Sequence, residues 1–238
     1  MERAFLVELF SAADLPLTDK QISQFATFLE ELLSWNEKFN LTAITETEEV
    51  LIKHFFDSVL GLRAFPWQGD EKVLDLGSGA GFPGIPLKIA CPALRLTLVD
   101  SLQKRVGFLQ HLITLLSLSE TTALHGRAEE LGRDRAYREN YQIVVSRAVA
   151  KLAVLAEYGL PFVQKDGVFL AYKGADAAQE LAEAQKAIAL LGGKVRDVKT
   201  YALPKQMGKR TIIVIEKIKE CPPVYPRKPG IPARKPLK

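Results

Sequence analysis

Cysteine and histidine are scarce in this 238-residue chain, with two of the first and three of the second. Cys91 and Cys221 stand far apart, each beside a proline, and neither has a Cys or His at metal-ligand spacing. This leaves no basis for a disulfide framework or a zinc site. His54, His111 and His125 are equally scattered, and each reads as a structural or surface group rather than a ligand or a base. No apolar run reaches the roughly 20 residues of a membrane span. The amino terminus also lacks the charged, apolar and small-residue pattern of a secretory signal, so a cytoplasmic protein is expected. Hydrophobic residues make up 47% and charged residues 25%, which excludes the disordered, collagen-like and coiled-coil classes.

Charge of one sign is missing from parts of the chain. Residues 1–65 hold five Lys and Arg against eleven Asp and Glu, whereas residues 199–238 hold eleven against two. A basic pole of that kind suits a polyanion, and equally a solvated tail. Within residues 221–238, Arg227, Lys228, Arg234 and Lys235 are interleaved with prolines that keep the segment extended. Such cations can meet the phosphates of a polyanion along a strand; the competing reading clamps the tail onto its own domain.

From Arg3 to Gly61 the apolar residues recur at helical spacing, as in Ile22, Phe25, Phe28, Leu29, Leu32 and Leu33. Three helices are expected, the second capped by Thr18 or Asp19 and parted from the third across Asn36–Thr45. Residues 1–65 thus read as a helical extension whose apolar face needs a body to pack on.

From Lys72 the grammar becomes short β-rich runs alternating with helical ones. KVLDL, RLTLV, TTALH, YQIVVSRAV, GVFLAY and RTIIVIEKI read as strands, and the segments near 84–91, 103–117, 151–163 and 176–191 as helices. Near-continuous apolar strands joined by helices imply a mostly parallel sheet covered on both faces. KVRDVKTYAL, another expected strand, runs into RTIIVIEKI with no room for a helix, so the last pair forms an antiparallel edge hairpin. Residues 66–220 are therefore expected to form an α/β, Rossmann-like domain with a seven-stranded sheet.

The stretch VLDLGSGAGFPGIPLKIA, at 73–90, lies at the first strand-to-helix turn, where open α/β sheets bind nucleotides. Its glycines allow a tight turn and close approach of a ligand to backbone. Asp100, closing the second strand, can accept hydrogen bonds from both hydroxyls of a ribose. NAD and S-adenosylmethionine both satisfy these features. Asp75 favours the second, because a diphosphate prefers an uncharged loop whereas an ammonium group tolerates a carboxylate.

DLGSGAGFPGIPL, together with WNEKFNLTAI at 35–44, HFFDSVL at 54–60, the pair Ala128–Glu129, SRAVA at 146–150 and YPRKPGIPARKPL at 225–237, resembles the RsmG (GidB) family over essentially the whole chain. The resemblance implies an S-adenosylmethionine-dependent methyltransferase fold for residues 66–220. It further implies methylation at N7 of one guanine in the decoding-region loop of 16S rRNA, within the 30S subunit or an assembly intermediate. Carried over to this sequence, Gly77 and Phe82 lie beside the methionine and sulfonium part of the cofactor. Asp100, Ser101 and Leu102 hold the ribose and adenine edge, Ala128 and Glu129 recognise the adenine, and Arg147 closes the site. No catalytic base is expected, since guanine N7 carries an in-plane lone pair and no proton. Rate enhancement then comes from alignment in a water-poor pocket. A monomer suffices for this chemistry. A nicotinamide oxidoreductase and a non-catalytic RNA-binding sensor of the cofactor remain as readings of other classes.

Overall fold

The computed structural model describes residues 2–147, 150–174 and 176–238. Ala148 and Val149, the end of the expected fourth strand, lie outside the described residues.

Two helices open the chain, α1 (Glu2–Ser11) and α2 (Asp19–Phe39). Thr18 caps α2 in a capping box with Gln21, which satisfies amides at the helix start that have no intrahelical partner. Asn40 ends the helix in a left-handed conformation at φ 50°. The break with the next helix therefore begins at Asn40 rather than Asn36, whose side chain instead accepts from the Thr42 amide at 2.8 Å. The third helical stretch is composite. It runs from α3 (Thr47–Val50) through a π-helical segment, Leu51–Phe56, into α4 (Asp57–Val59), and α5 (Gly61–Ala64) follows.

Strands and helices then alternate: β1 (Lys72–Leu76), α6 (Gly84–Ala90), β2 (Arg95–Asp100), α7 (Gln103–Leu115), β3 (Thr121–His125), α8 (Ala128–Leu131), β4 (Tyr141–Arg147), α9 (Leu152–Gly159) and β5 (Val163–Lys173). After α10 (Ala177–Leu190) come β6 (Gly193–Ala202) and β7 (Lys209–Lys217), and a short α11 (Ile231–Arg234) lies near the end. The seven strands form one sheet in the order β3-β2-β1-β4-β5-β7-β6. β1 to β5 are mutually parallel, and β7 lies antiparallel between β5 and β6. The expected α/β class, parallel core and edge hairpin are all present. Among the described residues no helix is long and apolar enough to cross a membrane.

Alternate residues of a strand face opposite sides of a sheet, so the apolar strands build two cores. Val168, Leu170 and Tyr172 of β5 join one core with α6, α7 and the amino-terminal helices, while Phe169 and Ala171 join the other with α9 and α10. Polar contacts fix α2 in place: the Gln21 amide donates to Ile89 O and Ala90 O at the end of α6, and Gln24 to Leu116 O after α7. Both satisfy helix-end carbonyls. Phe25, Phe28 and Phe55 stack at 5.0–5.2 Å, and Phe28 stacks in turn on Phe82 of the glycine loop at 5.3 Å.

Because the helical extension and the sheet share this core, they are expected to unfold together. Phe55→Ala deletes a fully buried ring and should cost about 3–5 kcal/mol. Urea titrations read by far-UV circular dichroism and by tryptophan fluorescence, which reports on Trp35 in α2 and Trp67 before β1, should give coincident midpoints that shift together. A separate early transition of the extension would contradict the shared core.

Candidate active site

The loop after β1 is stitched to the end of β2. Gly77 and Ser78 amides donate to Val99 O at 2.9 and 3.0 Å, and the Val99 amide returns a bond to Ser78 Oγ at 3.1 Å. Gly79 adopts φ +57°, a conformation glycine adopts without steric cost. Gly84 is required by proximity, since a Cβ there would stand 2.7 Å from Asp75 Oδ2. Into that space the Gly84 amide donates to Asp75 Oδ2 at 2.8 Å. Asp75 Oδ1, also buried, has no hydrogen-bond partner among the described residues. Burial without a full set of donors pushes the Asp75 carboxyl up from 3.8 to about 7, against the lowering effect of the Gly84 amide.

Above this loop, at the carboxyl ends of β1, β2 and β4, opens a cavity of about 690 Å³. That volume lies in the range of about 300–1,000 Å³ usual for small-molecule sites. Gly77, Phe82, Asp100, Ser101, Ala128, Glu129 and Arg147 all line it, although they come from four separate segments of the chain. Leu102 does not line it: it precedes α7, is exposed, and contributes only its amide, which donates to Asp100 Oδ1 at 2.9 Å. The Gly79 amide donates to Asp100 Oδ2 at 2.9 Å, with the Arg105 guanidinium 3.5 Å away. Each Asp100 oxygen keeps acceptor capacity beyond these bonds.

Sequence reasoning assigned Arg147 to the site and missed its surroundings. Its guanidinium donates to Asp57 Oδ2 at 2.9 Å and to Lys53 O at 3.0 Å, and lies over the Phe82 ring at 4.8 Å. Arg210 of β7 binds both oxygens of the same carboxylate. Asp57 is fully buried, so one anion from the amino-terminal extension joins two cations from strands β4 and β7, which stand on either side of β5. His54 stacks on Phe82 at 4.6 Å, its Nδ1 faces an Arg147 N–H at 3.1 Å, and its Nε2 bonds Thr42 Oγ1 at 2.8 Å. Burial, and then the Arg147 charge, lower His54 from 6.5 to about 3, so it is neutral. Nδ1 accepts from Arg147, and the ring proton therefore sits on Nε2 and is donated to Thr42. Both Thr42 and His54 fall within strings that carried the family resemblance, but spacing alone gave them no role.

The basic tail folds back onto the domain. Arg227 donates to the buried Glu157 carboxylate through its amide at 2.9 Å and through its guanidinium. Arg133 and Arg138 of the domain reach out to carbonyls of Cys221, Val224, Tyr225 and Pro226. Farther on, the Gly230 amide donates to Glu129 Oε1 at 2.9 Å, and Gly230 and Ala233 line the cavity. Burial and the Glu129 carboxylate push Tyr158, on the same wall, up to about 12. Arg227 is thus committed to an intramolecular pair, whereas Lys228, Arg234 and Lys235 stay exposed. Three stretches carry the cavity wall that the sequence did not single out: the connector at Thr42, the helix at Tyr158 and the tail at Gly230.

Asp57→Ala would leave two guanidiniums buried or half-buried without their carboxylate. Breaking a buried pair from one side costs about 3–5 kcal/mol, and chemical denaturation should show a loss of that size. Asp57→Asn, which keeps the shape and one acceptor, should lose less; equal stability of all three proteins would refute the role given to this carboxylate.

Residues 21–211 match the GidB family model, described as rRNA small subunit methyltransferase G. The chain is 49% identical to the ribosomal RNA small subunit methyltransferase G of Brevibacillus brevis over 100% of both chains. To that of Oceanobacillus iheyensis it is 48% identical over 93% of both. Among solved structures it is similar to M. jannaschii TYW2 in complex with AdoMet, at a TM-score of 0.52 and 17% identity, over 69% of this chain and 76% of that one. The YcgJ protein of Bacillus subtilis gives 0.52 at 14% identity, over 70% and 99%. These two likenesses concern the fold alone; the full-length sequence matches go further, and by them the chain belongs to the ribosomal RNA small subunit methyltransferase G (RsmG, GidB) family.

Proposed function

We infer that this protein is an S-adenosylmethionine-dependent methyltransferase acting on N7 of one guanine in the decoding-region loop of 16S rRNA, as a monomer in the cytoplasm. The observation that carries the cofactor assignment is the set of acceptors in and beneath one cavity. Asp100 at the end of β2 and Glu129 at the start of α8 line it, and Asp75, fully buried under the glycine loop, keeps an unpartnered oxygen. An ammonium group, a ribose diol and an adenine amine are all donors, and these three carboxylates suit them. A dinucleotide diphosphate would instead meet the Asp75 charge.

When bound, the cofactor supplies an electrophilic sulfonium methyl group. Every other requirement falls on the chain. Asp100, fixed by the Gly79 and Leu102 amides, orients the ribose. Phe82, fixed between His54 and Phe28 and covered by Arg147, holds an apolar wall beside the methyl position and keeps water out. Beside Arg147, neither His54 nor Asp57 is arranged to take a proton: both His54 nitrogens are engaged and Asp57 is committed to two arginines. That fits an acceptor which has no proton to lose, as guanine N7 has none. In double-stranded RNA this atom faces a deep, narrow groove, so the target must be a loop or an opened base. Lys228, Arg234 and Lys235 are tail cations that stay exposed for RNA phosphates.

Labelled methyl transfer to 30S subunits from a strain lacking this protein should modify one guanine, mapped by chemical cleavage at N7-methylguanine. No incorporation alongside intact cofactor binding would refute the reading. Asp75 adds a pH signature. An ammonium ligand favours the ionised carboxyl, so affinity measured by calorimetry should rise as pH passes upward through about 7. Asp75→Asn should flatten that profile; a wild-type profile that is already flat removes Asp75 from the pocket's electrostatics.

A further inference from the structure

A second cavity, of about 310 Å³, lies against the first. The two share the side chains of His54 and Arg147. The remaining lining includes Ile44 of the connector after α2 and Lys53 of the π-helical segment, and, from a turn that the cofactor cavity does not use, Leu203, Met207, Lys209 and Arg210 between β6 and β7. We propose that this second cavity receives the acceptor guanosine of the RNA, with Lys53 and Lys209 at its flanking phosphates. The proposal rests on the methyltransferase reading above and says where on the protein the acceptor sits.

Position is the first argument. A methyl acceptor must come into direct contact with the cofactor's methyl group without displacing the cofactor, so its pocket has to adjoin the cofactor cavity with no side chain between the reacting atoms. His54 and Arg147 lie on the shared edge of both spaces, and both groups are fixed: Arg147 by Asp57 and the Lys53 carbonyl, His54 by Arg147 and Thr42. The Phe82 ring, held under both groups, lines the cofactor side.

Chemistry is the second. Ile44, Leu203 and Met207 offer apolar surface for the face of a purine, and methionine adapts to flat ligands. All the charged lining is cationic, with Lys53, Arg147, Lys209 and Arg210 and no carboxylate among the described lining residues. Guanine presents two acceptors, N7 and O6, along the edge that must be methylated, whereas adenine replaces O6 with a donor amine. A donor-rich pocket without carboxylates therefore discriminates in favour of guanine. Asp57 offsets the two arginines from behind, and Lys53 pairs with Glu49 at 2.6 Å on the surface. Lys209 is exposed and forms no salt bridge with a described residue, which makes it the cation most available to a phosphate.

The turn also has room to admit a ligand. Gly208 takes φ +105° with nothing within 4 Å of where a Cβ would stand, and Lys205 and Gln206 before it also have positive φ.

Two variants of the full chain test this. Met207→Trp fills the second cavity, and Lys209→Ala removes one phosphate contact. With unmethylated 30S subunits, Met207→Trp should lower kcat/KM at least tenfold, with cofactor affinity by calorimetry within twofold of wild type. Lys209→Ala should raise KM several-fold with kcat retained and reduce the slope of log affinity against log salt by about one. If the wild type methylates 30S and both variants match it, the acceptor lies elsewhere and the methyltransferase reading stands. If the wild type methylates nothing, that reading fails, and photocrosslinking decides the pocket separately. A decoding-loop RNA carrying 6-thioguanine should crosslink within residues 203–210 or at Ile44; crosslinks confined to residues 227–238 would overturn the proposal.

Discussion

One buried carboxylate organises the functional end of this molecule. Asp57 belongs to the helical extension, Arg147 to the middle of the sheet and Arg210 to its antiparallel edge, and the three meet out of solvent. Burial disfavours the charged form of Arg147, and the Asp57 charge and hydrogen bond act against that. With its guanidinium held in this way, Arg147 in turn fixes His54 and covers Phe82. Desolvating three ions is costly, and a core of similar shape built from apolar side chains is often as stable. What the ion cluster contributes is position: it ties the extension, the glycine loop and the edge hairpin to one another at the place where two cavities meet.

The two cavities differ in their charged lining. The first mixes the carboxylates of Asp100 and Glu129 with Arg105, Arg127 and Arg147, with Asp75 beneath the loop, and offers acceptors to a donor-rich cofactor. Among the described residues the second is lined by cations alone, Lys53, Arg147, Lys209 and Arg210, which suit the acceptor edge of a guanine and the phosphates that flank it. On their shared edge stands a neutral imidazole whose nitrogens are both engaged. Such an arrangement is economical for a transfer in which no proton moves, because the protein has only to hold two partners in line and keep water away.

Much of this was legible in the sequence, for identifiable reasons. Strand periodicity, the glycine-rich turn and Asp100 are local signals, and each fixed an element and its place in the sheet. The edge hairpin was legible because no helix fits between Ala202 and Lys209. Arg147 was named only through resemblance, since a strand-end arginine carries no local mark of its partner 90 residues earlier. Leu102 was likewise named through the resemblance; it precedes α7 with its side chain exposed, and its amide donates to Asp100. The tail was legible only as two alternatives. Its cations suited either an RNA strand or a segment clamped on its own domain, and the contacts that decide are made by arginines of the domain itself, Arg133 and Arg138, which bind its carbonyls. Nothing local in either segment announces that pairing.

The π-helical segment at Leu51–Phe56 gives the design an unusual sensitivity to length. A π turn is the form a helix takes when it accommodates a residue beyond the α-helical repeat, and such turns collect at functional sites. Here it lets Phe55 and Phe56 enter the core while His54 and Asp57 meet Arg147. Removing one residue would allow a regular α-helix, with better hydrogen bonding of its own. The same change would turn everything on one side of it by about 100° and draw Asp57 away from both arginines. In genetic terms, the loss of one codon there would regularise the helix and dismantle the site, so the site depends on the length of this segment as well as on its residues.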